Sequence, residues 1–462
     1  MHPAPTAPYA PPSGSASAAP PRWDLLLMIA GGLLLVAQAR VHVFVPGLSA
    51  LRPGMLLVLA GVAVWLFRSD PLGRLGRPLP LGVKLAVFTL FWAGVGAPFA
   101  LWTGLAARGV VGSFGITIVV FLLVVASARH LVDIRRLLLV SAVGGAVFAF
   151  AGPVQGRVPI RGFGAGGYDP NDSAMYLVSA LPILVFFAVS SKKLSGKLLA
   201  GFSAFAALGA IVATQSRGGF LGLAAVLIFM LLFFRGIRIA TKILVVGVFC
   251  IGLAFTADAA YWERMESIAE FDDGYGTDDG PGGRVEIWKR GMGFMFANPV
   301  TGVGLYNFPV ADGASEVIQE RIRRGIGTKY SAAHSMWVQV GAELGIPGFL
   351  AFIGLFGHVG WGLWGISKRR SRWRTDRETS LMASSLLTSL IGIAAAGSFL
   401  SNAYWAMVWA PLAVGVALMR LDAEHRAARR SGAAAYHAAS ASPPLPPRQA
   451  ALPHYVAASV RR

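Results

Sequence analysis

The residue best suited to proton-transfer chemistry is His334. It lies in the stretch K-Y-S-A-A-H-S-M-W-V-Q-V, which begins at Lys329 and runs into an apolar segment. An imidazole titrates near neutral pH, so it can accept a proton or orient a hydroxyl group. The residues before it form the longest polar segment of the chain. A polar cap at the start of a helix would be the simpler explanation of such a histidine.

Two arginines occupy positions that could attract an anion. Arg284 follows Gly282 and Gly283, and apolar residues at helical spacing after it predict an amphipathic helix over 283–296. Arg284 would then lie in the first turn, where the helix dipole already favours negative charge. Arg217 lies in the turn A-T-Q-S-R-G-G, whose glycines would let the backbone approach a ligand. The alternatives are an interfacial side chain for Arg217 and a solvated loop charge for Arg284.

A third polar element precedes the helix predicted over 173–190. The loop from Gly152 to Asp172 contains Arg161 and the string Y-D-P-N-D, with Asp169, Asn171 and Asp172. Asp and Pro next to Asn favour a turn, and turn formation alone could explain these side chains.

The elements that must position these residues are apolar. The chain has 462 residues, of which 55% are hydrophobic and 14% are charged, and its mean hydropathy is +0.60. This composition is typical of an integral membrane protein. The formal net charge of +19 falls in short clusters between apolar runs, which indicates membrane topology and not nucleic-acid binding. The single cysteine, Cys250, can form neither a disulfide framework nor a thiolate metal site.

We predict an all-α, polytopic fold with about 12 transmembrane helices. Each predicted segment is long enough to cross, or nearly cross, a bilayer of about 30 Å. The segments are 24–44, 54–67, 82–102, 109–127, 137–151, 173–190, 197–214, 219–235, 243–257, 340–366, 380–400 and 403–420.

The charges of the short loops predict the orientation, because cytoplasmic loops carry an excess of Lys and Arg. With both termini inside, all five predicted cytoplasmic loops are basic. Arg161, Arg217 and the long segment up to Ala333 then lie outside. Among the histidines only His42 and His334 face outward, and His42 lies among residues that suggest no site.

Five regions follow from this topology. Residues 1–22 are predicted to be a disordered cytoplasmic tail, and residues 23–257 to hold helices 1–9. Residues 258–335 are predicted to form a long periplasmic loop with catalytic elements and short amphipathic helices. Residues 336–420 would hold helices 10–12, and 421–462 would be a disordered basic cytoplasmic tail near anionic lipid. A loop of this length indicates a function beyond connection.

Four motifs in order resemble the O-antigen ligase and polymerase family of bacterial envelope glycosyltransferases. They are S-R-G-G at 216–219, R-x-x-x-W at 284–288, N-P-V-T-G-V-G-L-Y-N-F at 298–308 and A-H-S-M-W-V-Q-V-G-A-E-L-G-I-P-G at 333–348. The resemblance covers roughly residues 160–365. Two positions depart from the family: Ser335, where Asn is more common, and Val338, where Leu is more common.

The resemblance implies transfer of a glycan from undecaprenyl pyrophosphate to an acceptor hydroxyl, on a lipid A core or a growing polysaccharide. The reaction would take place at the periplasmic side of the bacterial inner membrane, without metal or cofactor. Carried over from the family, Arg217 and Arg284 would stabilise the charged leaving group and His334 would handle the acceptor. Asp169, Asn171 and Asp172 could contact sugar hydroxyls, and Arg161 could be a third phosphate ligand.

Other functions fit part of the pattern. A polymerase of O-antigen or exopolysaccharide and a protein O-oligosaccharyltransferase would share the family motifs. A secondary transporter or flippase would also have about twelve helices, but it should show two related halves and buried charges at the bilayer midplane. The sequence has no obvious repeat, and its unusual charges cluster at the predicted external side.

Overall fold

The computed structural model is almost entirely helical. It describes residues 22–155, 157–158, 162–163, 168–234, 238–256, 262, 265, 283–325, 330–369 and 374–441. Arg161 and residues 1–21 of the predicted tail over 1–22 lie outside the described residues, as does most of the acidic stretch before 283. The one sheet in the described residues pairs β1 (Arg157–Val158) with β2 (Gly162–Phe163) in antiparallel register.

Sixteen α-helices make up the described structure. They are α1 Leu25–Leu33, which continues as a π-helical turn over Leu34–Gln38, α2 Pro53–Leu66, α3 Leu81–Gly96, α4 Thr103–Val111, α5 Ser113–Ser127, α6 Leu131–Gln155, α7 Pro170–Ser190, α8 Leu194–Ala213, α9 Arg217–Phe233, α10 Ile239–Thr256, α11 Arg284–Ala297, α12 Phe308–Ala314, α13 Glu316–Arg323, α14 Met336–Ser367, α15 Arg374–Gly397 and α16 Ala406–Ala441.

Nine helices of the described residues are long and apolar enough to cross a membrane. They are Leu48–Leu66, Leu81–Phe99, Thr103–Ser127, Leu131–Gly152, Pro170–Ser190, Leu194–Ala213, Met336–Ser367, Thr375–Gly397 and Ala406–Ser431. Leu25–Gln38 and Arg217–Phe233 are shorter apolar helices. The prediction of an all-α, multi-pass membrane protein is therefore confirmed. The count of twelve crossings stays a prediction, although each of the twelve predicted segments contains a helix.

The helices differ in how far the protein itself covers them. In α7, 83% of the apolar window is buried inside the protein, and in α15 the share is 78%. In the segment that contains α2 only 6% is buried. Because a helix this apolar would be unstable against water, α2 is suited to contact lipid, whereas α7 and α15 lie in the centre of the bundle.

Helix α14 is kinked, and the loop at 298–308 fills the kink. Gly345 has φ +67° and ψ −168°, outside the helical range, and Pro347 follows. Val303 N donates to Ala342 O at 2.8 Å, and Ile346 N donates to Pro299 O at 2.8 Å. A Cβ atom on Gly345 would lie 2.6 Å from the carbonyl oxygen of Val300, so only glycine fits there.

Two predicted boundaries were wrong. Helix α7 begins at Pro170 and not near Ser173, because Asp169 caps it and proline is well suited to the first helical position. Helix α16 continues to Ala441, although a disordered segment was predicted from 421. The residues after Leu421 form a separate compact unit. Alanine and arginine favour helix there, and Arg426 pairs with Asp422 one turn earlier at 3.0 Å.

Candidate functional site

Arg217, Arg284 and His334 lie around a connection that the sequence did not single out. This connection, residues 398–405 between α15 and α16, reads S-F-L-S-N-A-Y-W. The Ser401 hydroxyl oxygen accepts a hydrogen bond from His334 N at 2.7 Å. The Ser398 hydroxyl oxygen accepts one from the Trp337 indole at 3.0 Å. Ala403 N donates to Gln339 Oε1 at 3.3 Å. The start of α14 is therefore anchored to the connection at three points.

His334 lies just before α14 with its backbone held from two sides. Its carbonyl oxygen accepts a hydrogen bond from the Trp288 indole of α11 at 3.3 Å, in addition to the Ser401 contact made by its N–H. Its φ is +47°, a left-handed conformation that costs about 1 kcal/mol or more outside glycine. The helix cap is Ser335, whose hydroxyl accepts from Val338 N at 3.5 Å. His334 is therefore not the cap, and its side chain is half-buried.

The departure from the family at Ser335 does not remove this cap. Serine and asparagine are both among the preferred N-cap residues, because each carries a side-chain oxygen that can accept from the first turn.

Arg284 is the first residue of α11, as predicted within one residue. Its guanidinium carbon lies 5.6 Å from the centre of the Phe399 ring, within the range of a cation–π interaction. Trp288, one turn later, packs on the same ring with a centroid distance of 5.9 Å. Phe399 thus contacts the two residues of the R-x-x-x-W motif, and Trp288 in turn binds the His334 carbonyl.

Arg217 is the first residue of α9, and its helix start also touches Phe399. Ser216 caps the helix through a hydrogen bond from Gly219 N to its hydroxyl at 2.9 Å. A Cβ atom on Gly218 would lie 3.2 Å from the Phe399 Cβ, and one on Gly219 would lie 2.3 Å from the Ala174 Cβ. The glycines therefore let α9 pack against its neighbours. The interpretation that they leave room for a ligand is not supported, because protein atoms occupy this space.

The D-P-N-D string forms the start of α7 and connects it to the same region. Asp169 caps the helix by accepting from Asp172 N at 2.8 Å. Asn171 Oδ1 accepts from the Ser216 hydroxyl at 2.6 Å, next to Arg217. Asp172 is buried, and its carboxyl oxygen faces the Asn402 amide nitrogen at 3.4 Å. Of the three, only Asp169 is exposed. Their contact with sugar stays a prediction.

Four helix starts therefore gather around residues 398–402. These are the N-termini of α7, α9, α11 and α14, and the first helical residues of α9 and α11 are arginines. Each helix N-terminus carries unsatisfied N–H groups and a partial positive charge. Combined with two permanent cations, this geometry is suited to bind an anion with several charged oxygens.

The residues that organise this region carry no strong signal in the sequence. Phe399, Ser401 and Asn402 lie in a short break between two apolar segments, and Trp288 stands in the R-x-x-x-W motif without any signal of its contact with His334. The polar letters S-x-x-S-N inside an otherwise apolar stretch were the one available signal. Two tyrosines adjoin the site: burial raises the pKa of the Tyr404 hydroxyl well above its ordinary value, and burial does the same for Tyr168. Both hydroxyls stay neutral at physiological pH.

Together with the nine membrane-capable helices of the described residues, the fold defines a multi-pass membrane protein, whose candidate site is cationic, contains a histidine and lies at clustered helix starts. Among the described residues, no group of three or more His, Cys, Asp or Glu could hold a metal ion.

Residues 202–353 match the family model described as O-antigen ligase, which confirms the predicted resemblance to the O-antigen ligase and polymerase family. The matched range includes Arg217, Arg284 and His334 but not residues 398–405. No curated protein matches the chain.

Proposed function

We propose that this protein transfers a glycan from undecaprenyl pyrophosphate to an acceptor hydroxyl on the periplasmic side of the inner membrane. The observation that carries the proposal is the convergence on Phe399. Arg284 and Trp288 contact its ring, the helix start that bears Arg217 packs on its Cβ, and Trp288 holds the His334 backbone. One side chain thus links all three candidate residues.

Arg217 and Arg284 bind the pyrophosphate of the donor. When the bond between sugar and pyrophosphate breaks, negative charge develops on the leaving group. Guanidinium groups stay charged at any physiological pH and can bind two phosphate oxygens at once. Their position at helix starts adds the dipoles of α9 and α11 to this stabilisation.

His334 takes the proton of the acceptor. The acceptor oxygen forms a bond to the anomeric carbon of the donor sugar, while the bond from that carbon to the pyrophosphate oxygen breaks. The electron pair leaves with the lipid pyrophosphate, and the hydroxyl proton moves to the imidazole. The fixed backbone of His334 favours this role, because general bases act only within hydrogen-bonding distance of the proton they accept.

The other predicted site residues have different roles. Asp169 is exposed at the start of α7 and can contact a sugar hydroxyl of donor or acceptor. Asn171 and Asp172 hold α7 to Ser216 and Asn402, so they position the site. Arg161 stays a candidate for a third phosphate ligand.

The test is transfer by purified protein reconstituted with lipid-linked glycan and acceptor, with donor retention measured in parallel. His334→Ala should lower turnover by about 10²- to 10⁴-fold, as expected for a general acid-base group, while donor retention persists. His358→Ala, a histidine further along the same helix α14, is the matched control and should transfer normally. Normal transfer by His334→Ala, or equal failure of His358→Ala, would exclude the proposed role.

The measurement of donor retention distinguishes the role of the arginines from that of the histidine. Arg217→Lys and Arg284→Lys should both weaken donor retention, because lysine cannot bind two phosphate oxygens in a fork. Arg108→Lys, an exposed arginine of α4, is the control for loss of guanidinium geometry. Full donor retention in both site variants would remove these residues from the pyrophosphate site.

The acceptor class is tested in cells that lack the gene. Loss of a ligase leaves unattached polymer, whereas loss of a polymerase leaves single repeat units on lipopolysaccharide gels. Unchanged envelope glycans would contradict both forms of the proposal.

A further inference from the structure

A second cationic site lies where α1 ends and α2 begins. An open cavity of about 390 Å³ is lined by Arg40, His42 and Arg52, together with apolar and backbone atoms of neighbouring residues. The sequence suggested no site around His42. Arg40 is two residues away in the chain, and the structure adds Arg52 because the chain turns twice, through the short helical turns Val41–Val43 and Leu48–Leu51, before α2 starts.

The cavity wall offers several groups for an anion. Within the described residues, Arg52 makes no ion pair, and His42 Nδ1 is buried without a hydrogen-bond partner. Arg52 also precedes the first turn of α2 and supplies no side-chain cap. Because Pro53 lacks an N–H, the first free donor of α2 is Gly54 N, which has no acceptor in the described part of the chain. The helix start adds partial positive charge to that of Arg52.

The two arginines are held in unusual backbone conformations. Arg40 has φ +49° and Arg52 has φ +47°, and left-handed backbone is unfavourable for a long side chain. The Arg40 guanidinium carbon lies 4.0 Å from the centre of the Tyr168 ring and 5.3 Å from that of Trp405. Arg40 also interacts electrostatically with the buried carboxyl of Asp172. Arg40 therefore forms a fixed wall of the cavity, whereas the exposed Arg52 side chain and the half-buried His42 imidazole are the other polar groups that line it.

The surroundings of the cavity indicate that its ligand belongs to a lipid. The large apolar side chains next to it are exposed, including Val43, Val45, Leu51 and Met55. Cations flanked by exposed apolar side chains at a helix end are typical of the membrane interface, where lipid phosphates lie. A soluble anion would meet the same cations without using these apolar contacts.

We propose that the cavity binds the anionic phosphate of a membrane lipid headgroup, with Arg52 and His42 contacting the phosphate oxygens. The neighbouring apolar side chains contact the acyl region of the same lipid. This site is distinct from the proposed pyrophosphate site and needs no glycan transfer to operate. Through Arg40, which contacts Tyr168 and Trp405, the bound lipid adjoins the starts of α7 and α16.

The experiment uses the full chain, purified and reconstituted in phosphatidylcholine vesicles that contain a small fraction of photo-crosslinkable phosphatidic acid. Crosslinks should map to residues 36–55. Arg52→Gln and His42→Ala should each lower crosslinking there, by about fivefold for the loss of the arginine charge. Arg108→Gln removes one exposed arginine outside the cavity and should keep normal crosslinking. Arg40 is left intact, because its ring contacts also support the fold.

Competition identifies the source of the phosphate. Unlabelled phosphatidic acid should displace the probe, whereas phosphatidylcholine and inorganic phosphate at equal concentration should not. Unchanged crosslinking in Arg52→Gln and His42→Ala would overturn the site. Equal loss in Arg108→Gln would show a general surface-charge effect, and displacement by inorganic phosphate would show a soluble anion as the ligand; either result overturns the lipid assignment. Because the readout is lipid binding alone, failure here leaves the glycan-transfer test unaffected.

Discussion

Phe399 carries a prediction of its own, because it contacts each arginine-bearing helix start without having any reactive group. Replacing it with alanine removes the ring that faces Arg284 and Trp288 and opens space beside Gly218. A cation–π contact contributes about 0.5 to 2 kcal/mol. An aromatic pair contributes about 0.5 to 1.5 kcal/mol. Together these two contacts of Phe399 stabilise the arrangement of Arg284 and Trp288 by about 1 to 3.5 kcal/mol.

This figure sets the expected effect on catalysis. If the transition state loses all of this stabilisation of Arg284 next to the leaving group, the rate of transfer falls by about 5- to 300-fold, since about 1.4 kcal/mol corresponds to tenfold in rate. The membrane helices should stay folded, because the change removes one half-buried side chain at a helix end. Phe399→Tyr keeps the ring and should transfer at a rate close to that of the unmodified protein.

The assay is glycan transfer by reconstituted protein, with thermal stability measured on the same samples. Phe150→Ala is the matched control, since Phe150 is also a partly exposed aromatic residue with one stacked partner, Phe202, at 5.5 Å. Two results would refute the reasoning: normal transfer by Phe399→Ala, or an equal loss of transfer in Phe150→Ala. If Phe399→Tyr is as defective as Phe399→Ala, the ring contacts are not what positions Arg284.

Two further predictions concern packing and topology. Gly219→Ala should lower the free energy of unfolding by about 1 to 3 kcal/mol in a thermal or denaturant titration, because the new Cβ would lie 2.3 Å from the Ala174 Cβ. Gly201→Ala in α8 is the control and should not destabilise the protein, because the new atom meets nothing within 4 Å. Equal losses in both variants would contradict this account. In a Cys250→Ala background, Ala297→Cys at the end of α11 should react with a membrane-impermeant reagent in intact cells. Lys193→Cys, between α7 and α8, should react only after lysis. The opposite pattern would reverse the proposed orientation.

The sequence predicted the helices of this protein better than the contacts between them. Hydropathy locates α7 or α15 because a bilayer-length apolar run has few alternatives, and the spacing after Arg284 located α11 within one residue. The end of α16 was misjudged because alanine-rich segments have high helix propensity whether or not they contact a core. A hydropathy profile detects apolar helices, so it does not predict a helix of this composition.

The candidate site was only partly predictable for a different reason. Arg217, Arg284 and His334 stand in recognisable motifs, so each could be selected alone. Phe399 and Ser401 matter because α15 and α16 deliver their connection to the starts of four other helices, and no local pattern encodes such a contact. His42 suggested no site for the same reason: Arg40 is close to it in the chain, but Arg52 joins them in one cavity only through the fold.

The loop at 298–308 shows how residues without chemistry set the distance between the candidate groups. It is fixed to the kink of α14 by backbone hydrogen bonds, and the buried Glu343 carboxylate group accepts from Phe308 N at 3.2 Å. Helix α11, which precedes this loop, packs so closely on α14 that a Cβ atom on Gly291 would lie 2.4 Å from the Val338 Cγ1. Valine at this position, where the family more often has leucine, keeps the branch near the backbone and suits that close approach. The start of α11 and the start of α14 are thereby packed against each other, and this contact positions Arg284 relative to His334.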